Sequence, residues 1–183
     1  FDTYQKETGE SVLPGGRNIL NRSEFMLEAV KGEDTVLYHV TEAYDMFGLS
    51  PRFNLSDTIV QKFKSIVSDN CGWKLMRWIT NGFDTAYFET GKLPAEESLT
   101  GFSNANRIAA VWQGSHLFIR LPWTMLYFHD PTQRKVINGA VTYDGGYNYE
   151  IQTTVSDGIA ISVFYRDEVT NTLSRYTWSD YLV

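Results

Sequence analysis

Cysteine is almost missing from this sequence. Of 183 residues only Cys71 carries a thiol, which excludes an internal disulfide and any CxxC metal or redox site. A lone thiol of this kind reads as a small buried hydrophobe, and it leaves the cellular compartment open. Basic residues are also short: 16 Lys and Arg stand against 22 Asp and Glu, for a net charge of -6. No basic stripe offsets that balance, and Arg134-Lys135 is only a pair. Nucleic acid is therefore excluded as a partner, because its binding rests on neutralising phosphates with cations. No run of 18 apolar residues occurs, so no membrane span is expected. A starting Met and a signal peptide are absent as well. The opening Phe1-Asp2-Thr3-Tyr4 reads as the end of a strand running into a turn, the look of a piece of a larger chain.

Catalytic signatures are missing too. There is no Gly-rich phosphate loop, no GxSxG elbow and no HExxH. His39, His116 and His129 lie far apart without metal-ligand spacing and read as packed or surface histidines. Glu89, Asp144 and Glu150 could in principle supply the two carboxylates of a glycosidase, but spacing does not single out a pair. Asp2, Asp144 and Asp157 lie in turn-like, Gly-containing surroundings that would suit the oxygen ligands of a structural calcium, although such turns form without metal. No other cofactor is expected.

What is abundant is aromatic: 11 Phe, 11 Tyr and 5 Trp, 15% of the chain. Aromatic residues favour pleated, half-buried surfaces. The local patterns agree. Residues 23–30 and 35–42 flank the Lys31-Gly32-Glu33-Asp34 turn and read as a hairpin. Asn81-Gly82 between the runs 73–78 and 83–90 signals a type I′ hairpin. Ile108 to Trp112, the Gln113-Gly114-Ser115 turn and His116 to Leu121 form another, ended by Pro122. A helical turn is predicted over Trp123 to Phe128, and strands near 149–155, 159–165 and 173–178. Residues 91–106 read as a surface loop, and Glu168 to Asn171 as a turn. The one helix expected covers 59–67, where Ile59, Val60, Phe63, Ile66 and Val67 share a helical face. The pattern predicts a mainly β, antiparallel sandwich of jelly-roll type with one short helix. It is expected as a single domain over 1–183, with a helix-containing insertion near 45–70.

Aromatics placed on turns and edges are also stacking platforms for sugar rings, held at little entropic cost. Trp73 and Trp78 lie an odd number of residues apart on one expected strand, so one of them faces away from the core. Trp112 sits beside the Gln113-Gly114 turn, and Tyr147 and Tyr149 follow Asp144-Gly145-Gly146. These five are the carbohydrate-binding candidates. Trp123, after an apolar strand, reads as core.

Several segments resemble a known group in their order along the chain. Phe1-Asp2-Thr3-Tyr4 followed by Gly9 is similar to the strand-to-turn entry of the DOMON and family 9 carbohydrate-binding superfamily, and Glu24-Phe25-Met26-Leu27 to its next strand. His116-Leu117-Phe118-Ile119-Arg120-Leu121-Pro122-Trp123, running on to Phe128-His129-Asp130-Pro131, resembles the segment of that group in which a strand ends in Pro-Trp and a later Asp-Pro. Tyr176-Thr177-Trp178 resembles a closing strand of related bacterial modules, some of them attached behind glycoside-hydrolase-like barrels. The resemblance implies a non-catalytic, secreted or cell-surface bacterial module. Its partners would be a polysaccharide or oligosaccharide and an upstream domain of the parent protein. Two other readings stay open: a structural domain covering a catalytic neighbour, and part of a glycoside hydrolase whose catalytic residues lie mostly upstream.

Overall fold

The computed structural model describes residues 1–4, 9–41, 44, 59–62, 67–68, 72–76, 78–80, 86–88, 90–96, 108–143, 148–166, 168–171 and 175–180. The fold is mainly β and sandwich-like, as the aromatic and alternating patterns predict, and its sheets mix parallel with antiparallel pairs. The chain divides into two compact units interleaved in sequence. One comprises Phe1–Glu24, Thr41–Trp73 and Trp123–Val183, and the other Phe25–Val40 and Lys74–Pro122.

The first unit contains β1 (Gly9–Leu13) and β2 (Arg17–Ser23), an antiparallel hairpin that the sequence reading left unassigned. It also contains β5 (Ile59–Lys62) and β6 (Val67–Ser68), the second of which pairs in parallel with β1. The remaining strands are β13 (Phe128–Asp130), β14 (Lys135–Tyr143), β15 (Asn148–Val155), β16 (Ser162–Tyr165) and β17 (Glu168–Asn171). β14 is the centre of its sheet. It pairs antiparallel with β15 along most of its length and with both β13 and β5. The strand at β5 replaces the expected helix over the residues described there. Ile59 and Val60 are β-branched, and Val60 and Ile59 lie opposite Val141 and Thr142, so a ladder with a distant strand overrides the local helical spacing. The rest of the expected helix, 63–66, lies outside the described residues. Helical structure among the described residues includes 3-10 turns at Trp123–Leu126 and Pro131–Gln133, and the first was foreseen.

The second unit is built on β3 (Phe25–Glu28), β4 (Thr35–Thr41), β10 (Lys92–Glu96), β11 (Ala110–Gln113) and β12 (His116–Ile119), in the order β12-β11-β10-β4-β3. β7 (Trp73–Leu75) also pairs with β4, and β8 (Trp78–Thr80) pairs with β9 (Ala86–Phe88). The expected hairpins β3–β4 and β11–β12 both form, the latter closed by the two-residue turn Gly114-Ser115. Along β4 the inward residues Val36, Tyr38 and Val40 are buried and alternate with half-buried ones, the period-2 pattern of a one-sided sheet. Val36, Ala95, Ala109 and Ala110 form a core cluster, with Leu27, Leu93 and Leu117 against it.

Three local expectations change here. The run Trp73 to Trp78 is not one strand, because Met76 interrupts it; the odd-spacing argument about its two tryptophans therefore does not apply. Thr80 pairs with Ala86, which leaves five residues between them, not the two of an Asn-Gly type I′ hairpin. Finally, Lys92–Glu96 is a strand despite Pro94, which pairs at the very end of the β4 ladder, a position where a missing N–H is tolerated.

Candidate functional site

The first unit brings together two groups of residues that the sequence keeps far apart. One is polar and sealed. Asp2 is buried, and its carboxylate accepts a hydrogen bond from Arg175 Nη1 at 2.5 Å. The same guanidinium donates through Nη2 to the carbonyls of Asp2, at 3.1 Å, and Gly158, at 2.7 Å. A guanidinium can serve these acceptors at once because its donors form a rigid fork. Ser156 Oγ lies 2.6 Å from the Thr3 carbonyl and accepts the Gly158 N–H at 3.0 Å. Asp2 and Ala160 exchange backbone hydrogen bonds of 2.9 Å, and Ile159 and Tyr176 do so at 2.8 and 2.7 Å. Three separate stretches of chain are thereby tied at one point.

Glu24 completes this group. It is fully buried, and its Oε2 accepts the amides of Thr3 at 2.6 Å and Tyr4 at 3.3 Å. Burial, and then the negative charge of Asp2, push its carboxyl up to about 8, against the two amide donors. The carboxyl is fully buried, so this proton affinity bears on stability. The folded state holds the proton more tightly than an unfolded chain, whose glutamate titrates near 4.5. The contribution of Glu24 is therefore complete below about pH 4.5 and is lost as pH rises toward 8. Substituting Glu24→Gln should remove that dependence. The difference in unfolding free energy between wild type and variant is expected to shift in favour of the variant as pH rises from 5 to 8, by up to about 1.4 kcal/mol per pH unit. Denaturant titrations at several pH values would measure it, and a difference independent of pH would show that Glu24 keeps its ordinary acidity.

The second group is aromatic and partly exposed. β12 ends at Ile119, and after Pro122 the 3-10 turn Trp123–Leu126 carries Trp123. Trp123 meets Phe128 edge-on at 5.1 Å with 74° between planes, and Trp178 at 5.1 Å and 45°. Phe128 and Trp178 lie 5.6 Å apart, and Tyr176 and Trp178 5.7 Å apart at 34°. Phe128 forms the buried floor at 1% exposure, whereas Trp123 is 38% and Tyr176 66% exposed. The geometry is locally enforced. Asp130 caps the following turn by accepting the N–H of Thr132, and above all the Thr132 hydroxyl holds its carboxyl below the usual range. The Pro131 carbonyl accepts the Trp178 indole N–H at 2.8 Å, which fixes that ring. Arg134, at a left-handed φ of 55°, donates to the Thr177 hydroxyl at 3.1 Å and lies 3.9 Å from the exposed Asp180 carboxylate.

The two groups are continuous through the backbone. Arg175, locked by Asp2, precedes Tyr176, whose N–H and carbonyl are both bonded to Ile159. An exposed aromatic ring can take the C–H face of a polyhydroxylated ring by stacking.

The five aromatic candidates lie elsewhere. Trp73, on β7, is half-buried and spends its indole N–H on the Val12 carbonyl at 2.9 Å, which makes it part of the fold. Trp112, on β11 opposite Leu117, is half-buried, with its indole nitrogen shielded from solvent. Trp78 and Tyr149 fall on β8 and β15, opposite Phe88 and Thr142, and Tyr147 lies outside the described residues. They are spread over separate strands. Trp123, read as core, is instead partly exposed, on the 3-10 turn Trp123–Leu126. The alternation in Tyr176-Thr177-Trp178, which puts both rings on one side, was the available signal for the other two. Of the calcium candidates, Asp2 is engaged by Arg175, Asp157 is exposed, and Asp144 lies outside the described residues. Among the described residues no group of three or more His, Cys, Asp or Glu is disposed to hold a metal. Of the glycosidase candidates, Glu150 is exposed on β15, and Glu89 and Asp144 lie outside the described residues. No helix among the described residues is long and apolar enough to cross a membrane. Compared with protein-family models, curated proteins and solved structures, the chain matches none.

Proposed function

We propose that this chain is a non-catalytic carbohydrate-binding domain, and that it holds sugar on the rings of Trp123, Trp178 and Tyr176. What supports the reading is one observation: three neighbouring rings, Tyr176 well exposed and Trp123 partly so, cluster beside the buried ring of Phe128, where hydrogen bonds to Pro131 and Ile159 hold Trp178 and the Tyr176 backbone. Monomeric domains seldom leave such rings clustered and open to water without a use. Trp123 and Pro131, from the first of the two segments that resemble the DOMON and family 9 carbohydrate-binding group near the end of the chain, both touch Trp178, from the second. By the same resemblance the domain would work outside a bacterial cell, beside a polysaccharide-active domain of its parent protein. Affinity electrophoresis through gels containing soluble polysaccharides is the test. Retardation on at least one polysaccharide is expected, and Trp123→Ala should weaken it about tenfold, the equivalent of roughly 1.4 kcal/mol. A folded protein that migrates freely in every gel would end the proposal.

A second reading has its own observation. Edge strand β12 leaves Phe118 40% and Ile119 41% exposed, the surface expected of a domain that covers a neighbour. Aggregation of the isolated chain, relieved when Phe118 and Ile119 are replaced by polar residues, would favour it.

A further inference from the structure

Strand β12 ends the order β12-β11-β10-β4-β3, and no described strand pairs with its other side. Its hydrogen-bonding phase follows from the two-residue turn Gly114-Ser115. Gln113 and His116 flank that turn as a hydrogen-bonded pair, and Val111–Phe118 is the next such pair. Trp112–Leu117 and Ala110–Ile119 alternate with them as non-hydrogen-bonded pairs. The Arg120 N–H, which donates to the Ala109 carbonyl at 2.8 Å, keeps the same phase. The backbone N–H and carbonyl groups of Leu117 and Ile119 therefore point away from β11, toward the open edge. Folded proteins commonly guard such an edge with a charge, a proline or a bulge. His116–Ile119 contains no Lys, Asp, Glu or Pro, and its register with β11 is unbroken. The cations near it are turned to other acceptors: Lys31 Nζ donates to the Gly114 carbonyl at 2.8 Å, and Arg120 Nη2 to the Ile108 carbonyl at 3.1 Å. Phe118 and Ile119 alternate along the strand, so the edge exposes one large apolar side chain on each face.

We infer that β12 pairs antiparallel with β12 of a second copy of this chain, about a two-fold axis at Phe118, in a weak dimer. In that register Leu117 of each copy faces Ile119 of the other, and the two exchange both of their outward hydrogen bonds. Phe118 faces itself across the axis as a non-hydrogen-bonded pair, with Cβ atoms about 4.5–5.5 Å apart. On one face the row Val111, Phe118 then runs on into Phe118 and Val111 of the second copy. On the other face Trp112 and Leu117 run on into Ile119 and Ala110 of the second copy. Apolar residues meet apolar residues on both faces, and this favours a copy as the occupant: an uncharged strand offers a charged segment nothing to pair with. The turn at Gly114 and the proline at 122 confine the pairing to a few residues, which favours the register centred on Phe118. The same shortness keeps the interface small, so the dissociation constant is expected between about 1 μM and 1 mM. This dimer does not depend on sugar binding.

Two measurements on the full chain test it. Sedimentation velocity of the wild type should show a dimer that grows with protein concentration. Ile119→Lys, which places a charge on the pairing edge, should return the protein to monomer at every concentration and leave its melting temperature within a few degrees of wild type. Single cysteines on β12, in a Cys71→Ser background, then read the register. Phe118→Cys is expected to form a disulfide-linked dimer in air at least about tenfold faster than His116→Cys. The 118 positions meet at the axis, whereas the 116 positions lie roughly 14 Å apart, too far for a disulfide. A wild-type chain that stays monomeric up to about 1 mM would overturn the inference and leave β12 to a different neighbour. A dimer that survives Ile119→Lys, or cross-linking at 116 as fast as at 118, would overturn it by placing the contact elsewhere. Growth past the dimer into larger assemblies would overturn closure about a two-fold axis.

Discussion

Replacing Arg175 by alanine is expected to cost about 3–5 kcal/mol of stability, a large part of what a domain of this size possesses. The side chain lies at the meeting point of three acceptors: the Asp2 carboxylate and the carbonyls of Asp2 and Gly158. Asp2 is 2% exposed, so truncating Arg175 leaves its carboxylate away from water without the cation that offsets its desolvation. Arg175→Lys should recover only part of it, because a single ammonium cannot reach all three acceptors in the planar fork geometry. The pair Asp2→Asn with Arg175→Met is expected to be more stable than Arg175→Ala alone, since it removes both charges and keeps the volume. Urea unfolding of the four proteins measures all of this. A loss below about 1 kcal/mol for Arg175→Ala would place the pair among ordinary surface salt bridges. If the proposed carbohydrate binding holds, the same variant should also weaken it, because Arg175 precedes Tyr176.

Gly158→Ala is expected to be as severe, at roughly 4 kcal/mol or more, or to prevent folding. Two effects add. The residue has a φ of 110°, where an L side chain is strained, and a Cβ there would lie 2.2 Å from the carbonyl oxygen of Tyr176. That atom is backbone and is bonded to Ile159, so it cannot move aside without breaking the bridge that sets Tyr176. Gly15 is the control. It also has a positive φ, of 87°, but nothing lies within 4 Å of its absent Cβ. Gly15→Ala should therefore cost only the conformational term, roughly 1–2 kcal/mol. Comparable losses at the two positions would mean that the close approach at Gly158 is not maintained. Thermal unfolding followed by circular dichroism distinguishes the cases.

How much of this was legible in the sequence differs from element to element. The hairpins β3–β4 and β11–β12 were, because their information is local: alternating apolar residues flank a glycine turn within about ten residues. The same holds for the 3-10 turn at Trp123, which Pro122 immediately precedes. At Ile59–Lys62 the local signal pointed the wrong way. The spacing of Ile59, Val60 and Phe63 fits a helix as well as a strand, and only β14, about eighty residues further on, decides between them. At Lys92–Glu96 and Glu168–Asn171, Pro94 and the polar run argued for loops, yet pairing with β4 and β16 drew both into sheets. The β1–β2 hairpin went unassigned because its strands carry the polar residues Glu10, Asn18, Asn21 and Arg22, and Glu10 is buried all the same.

The site divides along the same line. By itself the sequence determined a β-rich fold, an aromatic surplus, a net negative charge and a single cysteine. These follow from composition and from patterns a few residues long. Tertiary structure alone decided which aromatics lie open side by side. Trp123 and Trp178 are 55 positions apart, and Asp2 and Arg175 are separated by 173, so nothing in their neighbours along the chain marks them as partners. Nor could periodicity reveal that Glu24 and Asp2 share a sealed interior, since that depends on which surfaces the folded chain buries together. Local propensity acts over a turn or a strand. Burial, charge pairing and ring stacking depend on the closure of the whole chain, and there the ring cluster of Trp123, Trp178 and Tyr176 was assembled.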